Sequence, residues 1–514
     1  MSFDVVVIGA GSAGTILATR LSELPDLRVA LIEAGPDYPT FESLPDELRY
    51  GNATAAYVTT HGHMWGFQAR AAEAQQPRPL PRGKVVGGTS AINGQVFLRG
   101  LRDDFRAWAA MGNDLWSYEQ LLPSMRAIEH DLDFDGEWHG TSGPIRVRRY
   151  PRSEWLLPQT AFYEACREQF PDCPDANAPD ATGVGPIPFN NVGGVRASTA
   201  MTYLSAARSR PNLTVLADTH ARRLVFAGTR AVGVEVERAG TVETIAAGDI
   251  VLSAGVIGSP HLLMLSGVGD PAALGQLGIG AVAKLPGVGQ NLADHQVADL
   301  VWEVEPETVR SGESTPRVQV ALRYTAAGSP DADDMQITVR TAAPGHHGDS
   351  LVSLVPAIEL PHSTGSVTLA SPDPAVQPAI ELRFLSEGAD LARMRESVLL
   401  AVDISRRAPM ASVLGRRTTL SDRQLASAEE IDRWLMATVR TSHHTGGTCR
   451  MGPADDPNAV VDQFGRVHGL QNLRVADASV FPRMVRANTA VTAMTVGERI
   501  AQFMKEQHAT GATA

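Results

Sequence analysis

The chain lacks the residues on which several functional classes depend. Only three cysteines, Cys166, Cys173 and Cys449, occur in 514 residues. They show no CxxC or zinc-type spacing, and an odd count argues against a disulfide framework, so a reducing compartment, the cytoplasm, is expected. There is no excess of positive charge: 45 Lys and Arg face 57 Asp and Glu, a formal net charge of −12. That argues against general nucleic-acid binding, because phosphates need basic counter-charge. No GxSxG elbow occurs, which removes a common serine-hydrolase arrangement. No repeat appears at solenoid periods. A strand signal starts by Asp4, so no secretory leader is expected. No metal site is expected either: His346-His347 sit in a Pro/Gly loop without an acid or cysteine at ligand spacing, and His139, before Gly140 and Gly143, reads as a structural loop. The uncharged stretch Ile250 to Gly269 has the length of a membrane span. Its Gly255, Gly258, Pro260, Gly267 and Gly269 divide it into strand, glycine turn and short helix.

What is present at the start is a phosphate-binding pattern in context. Val5-Val-Val-Ile8 makes a buried strand, Gly9-Ala-Gly-Ser-Ala-Gly14 a tight turn, and a helix burying Ala13, Leu17, Ala18 and Leu21 follows. Gly9 permits the turn, Gly11 lets backbone approach a pyrophosphate, and Gly14 lets the helix lie against the sheet. The amides of Ser12 and Ala13 open that helix, whose N-terminus favours phosphate. A second strand, Val29–Ile32, ends in Glu33, placed to take the ribose hydroxyls of an adenosine. Strand, turn, helix and acid in this register point to a dinucleotide.

Along the rest of the chain, Gly35 to about Arg82 is Pro-rich, with Gln75 to Pro81 read as an extended surface loop. Apolar spacing from Asp103 to Ile128 predicts helices, and residues near 130–210 read as polar and loop-rich. Strands are predicted at Leu213–Leu216, Arg223–Phe226, Ala231–Glu237 and Ile250–Leu252. Period-two strands follow at Val318–Arg323, Met335–Thr341, Leu351–Glu359 and Gly365–Ala370, which reads as an antiparallel sheet. Helices fill 387–438, a strand and turn lie at Leu473–Ser479, and a last helix runs from Thr489 to about Gln507. The expected class is α/β. A discontinuous dinucleotide domain takes 1–150, 205–297 and 455–514, and a second lobe with the antiparallel sheet takes 151–204 and 298–454.

Five ordered blocks resemble the glucose–methanol–choline (GMC) flavoprotein oxidoreductases. They are Gly9–Gly14 with Glu33; Arg82-Gly-Lys-Val-Val-Gly-Gly-Thr-Ser-Ala-Ile-Asn93; Gly255 to Gly269; Pro286-Gly-Val-Gly-Gln-Asn-Leu292; and His444-Thr-Gly-Gly-Thr-Cys-Arg-Met-Gly452 with Leu473–Ser479 and Asn488. The resemblance implies a Rossmann-like FAD-binding domain, a substrate domain with antiparallel sheet and helices, bound FAD, and oxidation of a small alcohol. Gly87, Gly88, Thr89 and Ser90 would lie against the ribityl phosphate and ring, with Asn93 near its reactive edge. Ala221 would approach adenine, and Asp477 and Ala478 the phosphates and ribityl chain. Where some relatives attach FAD through a His, this chain has Ile92, so non-covalent FAD is expected.

The same resemblance places a catalytic base at His444. Alcohol oxidation needs a base beside flavin N5, and imidazole suits it near neutral pH. Asn488 stands at the partner position, to hold the substrate oxygen or cap the helix beginning at Thr489. That helix N-terminus would favour negative charge on the flavin edge. His443 is a rival base; on an extended segment its ring would face away from that of His444. Asp294-His295 is expected to support the fold near FAD. Trp65, with loops near 60–70 and 310–345, is a candidate for the substrate entrance or for simple packing. The electron acceptor can be O2, a quinone or a redox carrier such as a mycofactocin-linked one, the last leaving room for a peripheral membrane or carrier contact. A lyase on the same fold with structural FAD, and an FAD-binding protein without catalysis, are the alternatives.

Overall fold

The computed structural model describes residues 1–51, 60–309, 315–341 and 351–510. Two seven-stranded sheets organise it. In the first, Ser2–Ile8 lies between Thr241–Leu252 and Val29–Ile32 in parallel, and Val29–Ile32 pairs on with Leu213–Leu216. Val5, Val6 and Val7 and all of Val29–Ile32 are buried, as β-branched runs in a covered parallel sheet should be. Thr241–Leu252 is longer than the sequence suggests. Its first half pairs antiparallel with Arg230–Arg238, and its end pairs parallel with Leu473–Val475.

The second sheet is antiparallel throughout. Its order is Arg440–Thr441, Gln296–Val297, Leu351–Ile358, Met335–Arg340, Val320–Tyr324 and Gly183–Pro186, with Leu300–Glu303 also pairing with Leu351–Ile358. The alternation in Met335–Arg340 is complete: Met335, Ile337 and Val339 are buried and their neighbours half-buried.

One expectation needs correction and two gain detail. The segment 130–210 is not mainly loop: it holds the helix Leu157–Arg167, which buries Ala161, Phe162, Ala165 and Cys166, and the strand Gly183–Pro186. Gln75 to Pro81 runs extended with residues 76–79 exposed, as read, but it is anchored. Gln75 is buried and donates to the Met436 and Val439 carbonyls, and Arg78–Pro79 pairs with Gln68–Ala69. His139 sits in a structural loop, as read, but in one held together by charge. It lies at 3.1 Å from Asp131, 3.2 Å from Glu129 and 2.9 Å from Asp175.

Glu129, Asp131 and His139 have the spacing of metal ligands, yet the cluster is already neutralised. Arg99 sits 2.5 Å from Glu129, and Arg149 bridges Asp131 and Asp175 at 2.8 and 2.9 Å. Three carboxylates therefore face two guanidiniums and one imidazolium. Burial alone would lower the His139 pKa, but hydrogen bonds to Asp131, Asp175 and Glu129 outweigh it and raise it to about 10.

The uncharged stretch resolves into the end of Thr241–Leu252 and the helix Gly255–Leu265. Among the described residues no helix is long and apolar enough to cross a membrane. All three cysteines are free and buried.

Because the folded His139 pKa is raised, its stabilisation is complete below about pH 6.5 and lost as pH climbs towards 10. His139→Leu should cost about 3–5 kcal/mol at pH 6 by leaving three largely buried carboxylates against two guanidiniums. In urea denaturation, the gap between variant and native protein should shrink steadily between pH 6.5 and 10.

Candidate active site

The nucleotide corner is built by close backbone contact. A Cβ on Gly14 would fall 2.0 Å from the Gly9 carbonyl oxygen, and one on Gly88, at φ +52°, 2.6 Å from the Gly11 Cα. The second glycine block is thus pressed onto the first, fastened by Gly87 N–H donating to the Ala10 carbonyl at 2.7 Å. A Cβ on Gly11 would meet only the Ser253 carbonyl oxygen, at 4.0 Å, and the helix Ser12–Leu21 has no side-chain cap on its N-terminus. Its free N–H groups suit a phosphate. Glu33 is buried at the strand end, accepting from Ala10 N and Gly35 N at 3.0 Å. Burial raises its pKa to about 7 against those hydrogen bonds and the pull of Lys84. Each oxygen keeps a lone pair for a ribose hydroxyl. Taken together, an uncapped helix start, an open glycine face and a buried acid fit the adenosine diphosphate half of FAD.

The other cofactor candidates divide by what their side chains already do. Thr89 Oγ1 accepts from Gly83 N, and the Ser90 hydroxyl donates to the Gly87 carbonyl while accepting from Thr199 N, so both stiffen the loop. Asn93 Oδ1 accepts from Gln95 N and its carbonyl from Arg196, which leaves the side-chain NH2 to be offered to a ligand. Ala221 is half-buried at a bulge in Thr219–Ala227. Asp477 is buried, its carboxylate taken by Gly255 N, Ser259 Oγ and Ser479 N; it fastens the helix Gly255–Leu265. The Ala478 carbonyl accepts from Gly447 N, joining that turn to the His444 segment. Ala13 and Gly14 are buried, while Ser12 and Thr489 are half-buried at the starts of their helices.

His444 and Asn488 converge from opposite directions. His444 follows the edge strand Arg440–Thr441, while Asn488 precedes the helix Thr489–Thr510. Asn488 Nδ2 lies 2.7 Å from His444 Nε2. Asp294 holds the histidine segment, accepting from His444 N at 2.9 Å and from the Thr441 hydroxyl. Arg82, from the second glycine block, donates to Thr445 Oγ1 at 2.5 Å and to the His443 carbonyl at 3.1 Å. One guanidinium therefore ties the nucleotide corner to the His444 segment.

The segment is not extended as expected. His443 has φ +66°, because its N–H turns back to Thr441 Oγ1 at 2.7 Å. Its ring is exposed while that of His444 is half-buried. Trp65 stacks on Phe67 and leans on His220, with Lys84 above it, so it packs beside the Thr219–Ala227 strand. His346 and His347, and part of the 310–345 loop, lie outside the described residues.

The family model described as GMC oxidoreductase matches residues 3–297 with its N-terminal part and 361–497 with its C-terminal part. The chain belongs to the GMC oxidoreductase family. It is 35% identical to a GMC-type oxidoreductase of Rhodococcus erythropolis, over 98% of each chain. It is 36% identical to the oxygen-dependent choline dehydrogenase of Brucella melitensis, over 97% of this chain and 95% of that one. Among solved structures, pyridoxine 4-oxidase from Mesorbium loti superposes with a TM-score of 0.90 at 31% identity, covering 98% of this chain and 99% of that one. This GMC oxidoreductase is an FAD enzyme acting on CH–OH groups of a small molecule, with an electron acceptor.

The residue whose role sequence reading understated is His295. Expected only to support the fold, it places Nδ1 2.9 Å from Nδ1 of His444. The signal was its position beside Asp294, one residue before a short strand, which carries no hint of a distant partner.

Burial holds the His444 pKa well below 6.5, helped by His295, His443 and Arg82. A lowered pKa keeps the free base populated at acid pH, so the acid limb of substrate-driven flavin reduction should lie below pH 6.5; a limb above 7 would contradict this. Gly88→Ala should reduce the flavin-to-protein absorbance ratio of the purified enzyme several-fold without loss of helical circular dichroism.

Proposed function

We propose that this enzyme oxidises a primary or secondary alcohol to an aldehyde or ketone, with His444 as the base and Asn488 holding the substrate oxygen. The observation that carries the reading is the 2.7 Å approach of Asn488 Nδ2 to His444 Nε2 at the start of the last helix. In place of that direct bond, an alcohol oxygen that reaches both groups meets an acceptor for its proton and a donor for its developing charge. Bound FAD supplies the acceptor, at N5, for the hydride leaving the alcohol carbon. The helix N-terminus behind Asn488 adds a positive dipole end to the same region.

Gly9, Gly11, Ser12, Ala13, Gly14 and Glu33 would hold the adenosine diphosphate. Gly87, Gly88, Thr89, Ser90, Asn93, Ala221, Asp477, Ala478 and Thr489 complete the cradle, Ser90 and Asp477 through backbone. Ile92 in place of a tethering His supports non-covalent FAD. We assign 1–150, 205–297 and 455–514 to FAD binding and 151–204 with 298–454 to the substrate, in keeping with the two sheets. Three reduced, buried cysteines accord with a cytoplasmic enzyme. Choline and pyridoxine, named in two relatives, both carry primary alcohols, so primary alcohols head the substrate panel. Acceptors to be compared are O2 and a quinone or redox-carrier substitute.

Anaerobic mixing with aromatic, aliphatic, amino and sugar alcohols should bleach the flavin with at least one of them. A lyase would turn over without bleaching. His444→Ala should slow bleaching by about 10²–10⁴-fold while FAD stays bound. Wild-type bleaching rates in that variant would remove His444 from the role.

A further inference from the structure

His295 and Glu359 lie behind His444 and have no part in the reaction outlined above. The register of the second sheet explains why they meet. Gln296 pairs with Thr441 on one side and Ile358 on the other. One residue beyond that row stand His295 and Glu359, with Ser442 N–H donating to the His295 carbonyl at 3.1 Å. Both side chains are buried. His295 Nε2 is 2.9 Å from the Val485 carbonyl oxygen, and its Nδ1 is 2.9 Å from His444 Nδ1 and 3.3 Å from the Glu359 carboxylate.

Hydrogen-bond accounting assigns the protons. A carbonyl only accepts, so His295 Nε2 carries a hydrogen. The Asn488 NH2 only donates, so His444 Nε2 presents its lone pair. A neutral His444 of that kind carries its hydrogen on Nδ1 and donates it to the bare Nδ1 of His295. All four ring nitrogens are partnered, and the tautomer obtained is the one that aims a basic nitrogen at the substrate position.

We propose that His295 is a positioning residue that holds His444 in its base-competent tautomer and, with Glu359, takes up the proton charge during turnover. The proposal rests on His444 being the base. As the alcohol O–H bond breaks, its proton goes to His444 Nε2, and the Nδ1 proton of His444 crosses to His295 Nδ1. The alcohol carbon gives up hydride, with its electron pair, to the flavin. His444 ends neutral. The positive charge rests on His295, between the Val485 carbonyl and the Glu359 carboxylate, and a buried cation needs such a partner. Arg82, His443 and Asp294 face His444 from neighbouring segments and stay constant in the test.

The test pairs a spectroscopic readout with a kinetic one, both on holoenzyme. In ¹⁵N-histidine NMR, His444 should show the Nδ1–H tautomer in the native enzyme and in His295→Gln, whose amide can accept from His444 and donate to Val485. In His295→Leu the tautomers should mix. Flavin reduction should fall more than about tenfold in His295→Gln, which keeps the tautomer but cannot take the proton, and further still, by about 10²–10⁴-fold, in His295→Leu; a native rate in His295→Gln would remove the proton-accepting role. Glu359→Gln should slow reduction and move the acid limb to lower pH, since a lost anion disfavours the protonated pair; a purely structural Glu359 would leave that limb in place. An Nε2–H tautomer in native His444 would overturn the proposal, as would native rates and pH profile in both His295→Leu and Glu359→Gln. Failure of the native enzyme to reduce flavin with any alcohol would instead defeat the assigned reaction, and the tautomer measurement would still decide the role of His295.

Discussion

Contact between backbones, without side chains between them, is the constraint from which the nucleotide corner follows. The Gly88 segment rests on Gly11, and Gly14 rests on Gly9, at separations no Cβ could share. The contact closes one wall of the cofactor site and leaves the Gly11 face open. It also sets where the second glycine block ends, and hence where Arg82 and Asn93 stand. Through Arg82 the position of that block reaches Thr445 and the His443 carbonyl. A packing rule at four glycines thus becomes an alignment rule for a histidine more than three hundred residues away.

Two histidines show how the same physics gives opposite charge states. Burial opposes the cation in both. At His139 three carboxylates more than repay it, and the imidazolium becomes part of a closed ion network. At His444 the near neighbours are His295, His443 and Arg82, so nothing offsets burial and the ring stays neutral. The first arrangement stabilises a fold and the second keeps an imidazole uncharged. Asp294 serves the second without undoing it: burial raises its pKa, and it holds the His444 backbone N–H rather than the ring.

Local pattern carried much of this in the sequence. Val5–Gly14, Val29–Glu33 and Met335–Thr341 announce themselves through composition and period, and the structure forms them nearly as read. The resemblance of five blocks pointed to His444 and Asn488, which the fold brings together. What stayed hidden depends on partners far along the chain. His139 looks like loop until Asp131, Asp175 and Glu129 surround it. His295 gains meaning only when Gln296 pairs with Thr441. The left-handed turn at His443 arises from a single hydrogen bond to Thr441 Oγ1, which no spacing rule reveals. The helix Leu157–Arg167 was masked by the polar, Pro- and Asp-rich residues around it.

The position of Asn488 is likewise set from afar. It precedes a helix of 22 residues whose Glu498 accepts from Arg20 at 2.9 Å and from the Tyr203 hydroxyl at 2.6 Å. Arg20 ends the helix that starts at Gly11, so the last helix is docked on the first, the one whose opposite end faces the phosphate position. His444, by contrast, hangs from the edge of the second sheet. The pair therefore spans the two layers, one member fixed to the nucleotide side and the other to the antiparallel side. Any slip between the layers would lengthen the 2.7 Å contact directly. The Arg486 carbonyl, two residues before Asn488, accepts from Arg323 of the second sheet at 3.2 Å, a buried bond that resists that slip at the point where it would matter most.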